Sequence, residues 1–150
     1  MTGGDRSPRQ PAVGVGGVVI HSGKVLLIRR GKEPLRGRWV IPGGTLELGE
    51  SLEAAVVREM REETALEVRP VEIVAVFDRI DRRDDEVLYH FVIIDYLCAY
   101  EGGDARAGSD ALEVAWASPD ELASFNLPEK ALQVVRDSFA RWLVIGPPTA

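Results

Sequence analysis

The chain has 150 residues, 45% of them hydrophobic, which suits one soluble domain able to bury its own core. Lysine and arginine number 18 against 24 acids, a net charge of −6, so the basic excess of a nucleic-acid binder is missing and no nucleic-acid partner is expected. The one cysteine, Cys98, excludes an internal disulfide, and no Cys/His spacing suggests zinc.

No apolar run reaches the roughly 20 residues of a membrane span. The opening "MTGGDRSPRQP" lacks the apolar core of a secretory signal. A cytoplasmic protein without a membrane partner is therefore expected. Residues 1–11 combine glycine, proline and charge and predict a flexible arm; residues 12–146 read as a single domain, and 147–150 as a short tail.

In chain order, "AVGVGGVVIH" predicts a buried strand, "HSGK" a turn, and "KVLLIRR" the second strand of a hairpin. "GKEPLRGR" is a polar loop. "WVIPGG" is a short strand stopped by Pro42 and two glycines. Ser51 is placed to cap a helix reaching about Thr64, and Glu53 in its first turn suits the helix dipole. Two long β-rich runs follow, "EVRPVEIVAVFDRI" and "VLYHFVIIDYLCAY", joined by "DRRDDE" as an exposed hairpin loop. "GGDARAGSD" is a loop, "ALEVAWAS" a strand, and Pro119 opens a short helical turn. The last helix spans about Pro128 to Ile145, with Leu132, Val135, Phe139, Trp142 and Leu143 at helical spacing as its core face. Strands on both sides of one helix, with another helix at the end, indicate an α/β fold: a mixed sheet carrying helices on its faces.

The helix after Ser51 changes character along one face. Leu52, Ala55 and Val56 form an apolar stripe, and Glu59, Glu62 and Glu63 continue it, with Met60 at the edge. Like charges at i, i+3 and i+4 repel, more so near an electronegative helix C-terminus. Carboxylates on an inward face need a countercharge. Arg61 points away from the cluster and Arg58 flanks one side of it. A hard divalent cation, Mg²⁺ or Mn²⁺, suits such oxygen donors and also binds substrate phosphates. The alternative is a charged helix end paired with external lysines. Gly43, Gly44 and Gly49 permit close backbone approach, so a loop carbonyl is a candidate fourth ligand. Glu50 is expected to fold back onto Arg58.

The stretch "GTLELGESLEAAVVREMREETAL", Gly44 to Leu66, resembles the Nudix box. Gly44, Glu50, Arg58, Glu59, Met60, Glu62, Glu63 and Leu66 all match at the box spacing, and "WVIPGG" is similar to the family's lead-in. Ala65 departs from the pattern, standing where the box has a glycine. If the left-handed cap is kept there, alanine costs about 1 kcal/mol. The resemblance implies a Nudix-type α/β/α sandwich with a mixed central sheet. It also implies Mg²⁺- or Mn²⁺-dependent hydrolysis of a nucleoside diphosphate linked to another moiety, of ADP-ribose or nucleotide-sugar type, releasing a nucleoside monophosphate. Carried over by position, Glu59, Glu62 and Glu63 are metal ligands with the Gly43 carbonyl, and Glu50 pairs with Arg58 or joins the metal shell. Glu62 or Glu63 stands ahead of Asp110 and Glu113 as general base.

For the small-molecule nucleotide substrate, Arg29, Arg38, Trp39, Gly44 and Glu113 are candidate contacts. Arg30, Lys32 and Arg36 belong to the same basic cluster, and Phe77 is a second candidate for stacking on a base. His90 and Cys98 read as structural. The family's ADP-ribose subgroup commonly carries a proline shortly after the box; this chain has none between Pro70 and Pro119. The competing substrate class is therefore a nucleoside triphosphate, including oxidised forms. A nucleotide-sensing domain without turnover is the alternative of another class, and the intact glutamates argue against it. A homodimer is implied only by the family's habit.

Overall fold

A computed structural model describes residues 10–146. Of the arm expected over residues 1–11, only Gln10 and Pro11 fall in that range, both exposed; the tail at 147–150 lies outside it.

Strands β1 (Ala12–His21) and β2 (Lys24–Arg30) form the predicted antiparallel hairpin, turning at Ser22 and Gly23. Side chains on a strand alternate between faces. In β1, Val15 and Val19 enter one core and Val18 and Ile20 the other, so the strand is buried on both sides. Next come β3 (Trp39–Val40) and β4 (Gly43–Thr45). The two glycines do not stop the strand, as the sequence suggested. Pro42 interrupts it, and Gly43 and Gly44 resume it by pairing antiparallel with Gly16 and Val15 of β1. Contact here is so close that a Cβ on Gly43 would overlap the Val15 carbonyl oxygen, which is why glycine stands there.

β5 (Glu67–Arg83) and β6 (Glu86–Gly102) form a long antiparallel hairpin. Most of "DRRDDE" is strand rather than loop. The pairs Arg82↔Val87 and Arg83↔Glu86 carry the ladder to its tip, leaving Asp84 and Asp85 as the turn. Backbone pairing makes no demand on side-chain polarity at an exposed tip, so charge alone misplaces the boundary. β6 runs parallel to β1, and β7 (Ala111–Ala117) runs antiparallel to β2. The seven strands make one mixed sheet of order β3-β2-β1-β6-β5, with β4 added to β1 and β7 to β2.

Helix α1 (Leu52–Thr64) covers one face, capped by Ser51, whose Oγ accepts the Ala54 N–H at 3.1 Å. Its Ala55, Val56 and Met60 pack on Val15, Val19, Leu26, Tyr96 and Cys98. Met60 is fully buried beneath Gly17 rather than lying at the edge of the stripe. The other face is covered by a 3₁₀ turn (Pro119–Glu121), helix α2 (Leu122–Phe125) and helix α3 (Glu129–Ile145). Leu122, Val134 and Val135 are buried there with Val18, Leu27 and Leu97. Leu143 departs from the expected core face: it is 86% exposed, because Trp142 is the last α3 side chain packed on that cluster. The architecture is thus the expected α/β/α sandwich with a mixed central sheet.

Candidate active site

The acidic end of α1 is held from outside the helix. Ala65 adopts the left-handed conformation, φ 65° and ψ 10°, and its N–H reaches the Arg61 carbonyl at 3.0 Å. The glycine-type cap is kept without the glycine. A helix end also leaves carbonyls without partners. The Glu63 carbonyl accepts from Gly108 N–H and the Thr64 carbonyl from Arg106 N–H, each at 2.9 Å. The loop "GGDARAGSD" therefore straps the helix end, pressed so close that a Cβ on Gly108 would overlap the Glu62 carbonyl oxygen.

Arg58 is the hub of the acids rather than a flank to one side of them. It pairs in bidentate fashion with Glu50, Nε to Oε2 at 2.6 Å and Nη2 to Oε1 at 2.9 Å. Nη1 donates to Glu59 Oε1 at 2.7 Å and to Glu62 Oε2 at 3.2 Å, and Nη2 donates to the Thr45 carbonyl at 3.0 Å. These bonds use all the donors a guanidinium has. Glu47 approaches Nη1 to 3.6 Å, and Glu50 Oε1 also accepts the Glu47 N–H at 3.1 Å. The expected brace from Glu50 to Arg58 is thus present. The Arg58 hydrogen bonds hold the Glu50 carboxyl below the usual carboxylate range, and Glu50 in turn raises the guanidinium pKa.

The three box glutamates differ in setting. Glu59 and Glu63 are buried, whereas the Glu62 side chain is 58% exposed at the rim. Glu63 Oε2 is buried with no hydrogen-bond partner. Burial, reinforced by Glu59 and Asp110, pushes the Glu63 carboxyl up to about 7. Burial also raises Glu59, against the pull of Arg58. Glu59 lies over Gly44, where a Cβ would overlap its carboxylate. Among the described residues, no three acids, histidines or cysteines are gathered tightly enough to grip an ion, since Arg58 draws Glu59 and Glu62 to itself. The donors nevertheless fit a hard divalent cation: three carboxylates, one with an orphaned oxygen, beside Gly43 and Gly44 of the cleft lining.

These groups line one end of a cleft of about 1090 Å³. Arg30, Lys32, Arg79 and Lys130 supply its other cations. Four expected substrate contacts do not line it. Arg29 donates to the Gly37 carbonyl at 3.0 Å and lies 3.9 Å from Glu113, its partner across β2 and β7. Arg38 donates to the Asn126 carbonyl at 2.9 Å, and Trp39 packs edge-on against Phe125 with centroids 5.0 Å apart. Successive residues face opposite ways on a strand, so Arg30, not Arg29, turns to the cleft. Arg36 stays in its loop, its N–H bonded to Glu33 Oε1. Gly44 does line the cleft, as do Asp110, held by Lys32 at 3.0 Å, and Phe77, whose ring lies 5.2 Å beneath the Lys130 ammonium.

Arg79, Tyr89, Phe91, Ile93 and Asp95 also line the cleft and were not among the residues expected there from the sequence. Along β6 a mostly apolar run, apolar on both faces, hides which residues face the cleft. The one available signal was Asp95, an acid inside that run; it is 4% exposed, and burial pushes its carboxyl up to about 7. His90 and Cys98 lie outside the lining, and Cys98 is fully buried with its thiol pKa raised by burial.

A helix ending in buried glutamates, clamped by an arginine over a glycine-floored cleft between sandwich layers, defines a Nudix-type hydrolase site. The family model for the NUDIX domain matches residues 8–143, and the chain belongs to that family. It is 35% identical to an ADP-ribose pyrophosphatase of Methanocaldococcus jannaschii, over 88% of this chain and 75% of that one. It is 33% identical to a putative 8-oxo-dGTP diphosphatase of Bacillus subtilis, over 78% of this chain and 72% of that one. A MutT NUDIX hydrolase from Burkholderia pseudomallei superposes with a TM-score of 0.73 at 29% identity, covering 86% of this chain and 98% of that one. The protein is an enzyme, a Nudix pyrophosphohydrolase acting on phosphorus anhydrides. Enzymes of this family generally use divalent metal ions.

Proposed function

We propose that the enzyme hydrolyses the pyrophosphate bond of a nucleoside diphosphate linked to another moiety, of ADP-ribose or nucleotide-sugar type, and releases a nucleoside monophosphate. The observation that carries this reading is the pairing of buried glutamates with cleft-facing cations. Glu59, Glu62 and Glu63, with the Gly43 carbonyl, would hold Mg²⁺ or Mn²⁺, and Arg30, Lys32 and Arg79 are the groups available for phosphate oxygens. The bound cation supplies charge to offset the pyrophosphate and lowers the pKa of water. Arg58 and Glu50 hold Glu59 and Glu62 in place. Glu62 or Glu63 is the group placed to accept the proton of the attacking water. The 33% identity to a putative 8-oxo-dGTP diphosphatase favours a second reading, in which a nucleoside triphosphate is the substrate.

A product-resolved assay over ADP-ribose, nucleotide sugars, dinucleoside polyphosphates and nucleoside triphosphates, with Mg²⁺ and Mn²⁺, separates these readings. Nucleoside monophosphate from a diphosphate derivative is expected. Release of pyrophosphate from triphosphates alone selects the second reading, and no turnover of any of them points to a sensor. Glu62→Gln and Glu63→Gln are each expected to lower kcat by at least about 100-fold with the fold intact, the scale of losing one general acid–base group. Full rates in both variants would overturn the site assignment.

A further inference from the structure

Among the described residues, Asp95 is the buried acid of the cleft that the catalytic reading leaves unused. It projects from β6 on the face that carries Phe91 and Ile93, away from the α1 side where Tyr96 and Cys98 are buried. Across the parallel ladder its partner is Gly16. The carboxylate leans over that glycine, where a Cβ would overlap Oδ1, and Ile41 packs beside the same spot at 3.4 Å. The residue is 4% exposed, and no hydrogen bond or ion pair to its side chain is found among the described residues. A buried carboxyl without a donor is costly. Asp95 lines the cleft together with Ile41, Ile93 and Phe91, Ile93 filling the space over Gly14 and Asp95 that over Gly16. An apolar aromatic floor with one unpartnered acceptor suits a flat heterocycle that presents an N–H.

We infer that Asp95 is a specificity residue that accepts a hydrogen bond from an exocyclic amino group of the substrate's nucleobase. The inference rests on the nucleotide reading of this cleft and deepens it. Above about pH 7 the carboxyl is ionised, and a base with a keto oxygen at that position then sets acceptor against acceptor, so the comparison is made at alkaline pH. Sites built around a buried polar group reject analogues that lack its partner far more strongly than apolar pockets reject a missing methylene. A solvated acid with only a structural role would leave base preference untouched.

The test is equilibrium binding of nucleoside monophosphates to the full chain, in pairs that differ mainly at the amine. The pairs are AMP with purine riboside 5′-monophosphate, GMP with IMP, and CMP with UMP. Wild type is expected to favour the amine-bearing member of at least one pair tenfold or more, and the pair that responds identifies the base. Asp95→Val should reduce that preference to under twofold, whereas Asp95→Asn, which keeps a carbonyl acceptor, should retain part of it. If Asp95→Val does not fold, Asp95→Asn decides. Its affinity for the amine-bearing member should fall at least threefold, with the amine-free member unchanged. No preference in any wild-type pair, an equal loss for both members, or a folded Asp95→Val with wild-type preference overturns the inference. Binding without preference leaves the nucleotide reading standing, whereas no binding together with no turnover removes both.

Discussion

Ala65 and Glu63 carry opposite kinds of cost. A non-glycine residue in the left-handed region costs roughly 1–2 kcal/mol, and glycine gives back about 0.5–1 kcal/mol of that in unfolded-chain entropy. Ala65→Gly is therefore expected to stabilise by about 1 kcal/mol, roughly 2–4 °C in Tm at this chain length. An unchanged or lower melting point would mean that the strap over the helix end, not the local conformation, sets the cost. Glu63 stores electrostatic cost instead. Its carboxyl rises from 4.5 to about 7 in the fold, so it favours the folded protein while protonated. That contribution is complete below pH 4.5 and is lost as pH climbs through about 7. Asp95 behaves alike, from 3.8 to about 7. Metal-free protein should accordingly melt lower at pH 8 than at pH 5.5, and Glu63→Gln should flatten part of that slope. Calorimetry in chelator across this range measures it, and a Glu63→Gln slope equal to wild type would contradict the raised carboxyl.

At the scale of elements, the helix and its strap form one device. α1 brings the acids to the cleft, but the loop after β6 closes its last carbonyls and carries Asp110 to the rim. Gly108→Ala forces a Cβ onto the Glu62 carbonyl and should both lower Tm by several degrees and reduce turnover. Loss of stability with full activity would separate the strap from the site. The helix itself was legible in the sequence because its signals are local: a serine cap, an apolar stripe, a change of face. The hairpin of β1 and β2 was legible for the same reason. The strap was not, since a glycine-rich loop says nothing about which carbonyls it will meet. Nor was the choice of Arg30 over Arg29, because β2 is buried on both faces and gives no alternation to read. β4 stayed hidden because its glycines look like a stop, and only pairing with β1 makes them a strand.

The whole molecule carries a net charge of −6, and its cleft concentrates acids that repel one another around one guanidinium. A divalent ion relieves that repulsion in two separable ways. General screening acts on every exposed acid and depends on ionic strength alone. Site binding acts on Glu59, Glu62 and Glu63 and saturates. A ligand at 100 times its Kd stabilises by about 2.7 kcal/mol, so saturating Mg²⁺ is expected to raise Tm by roughly 5–10 °C at pH 8. Protons compete for the same oxygens, so the gain should shrink at pH 5.5, where the Glu63 carboxyl is protonated. Glu62→Gln and Glu63→Gln should each lose much of it, whereas Glu86→Gln, at the far tip of the hairpin, should keep it. Sodium chloride at matched ionic strength gives the screening part alone. Equal gains from sodium and magnesium would mean that the acids of α1 form a charged surface rather than a cation site.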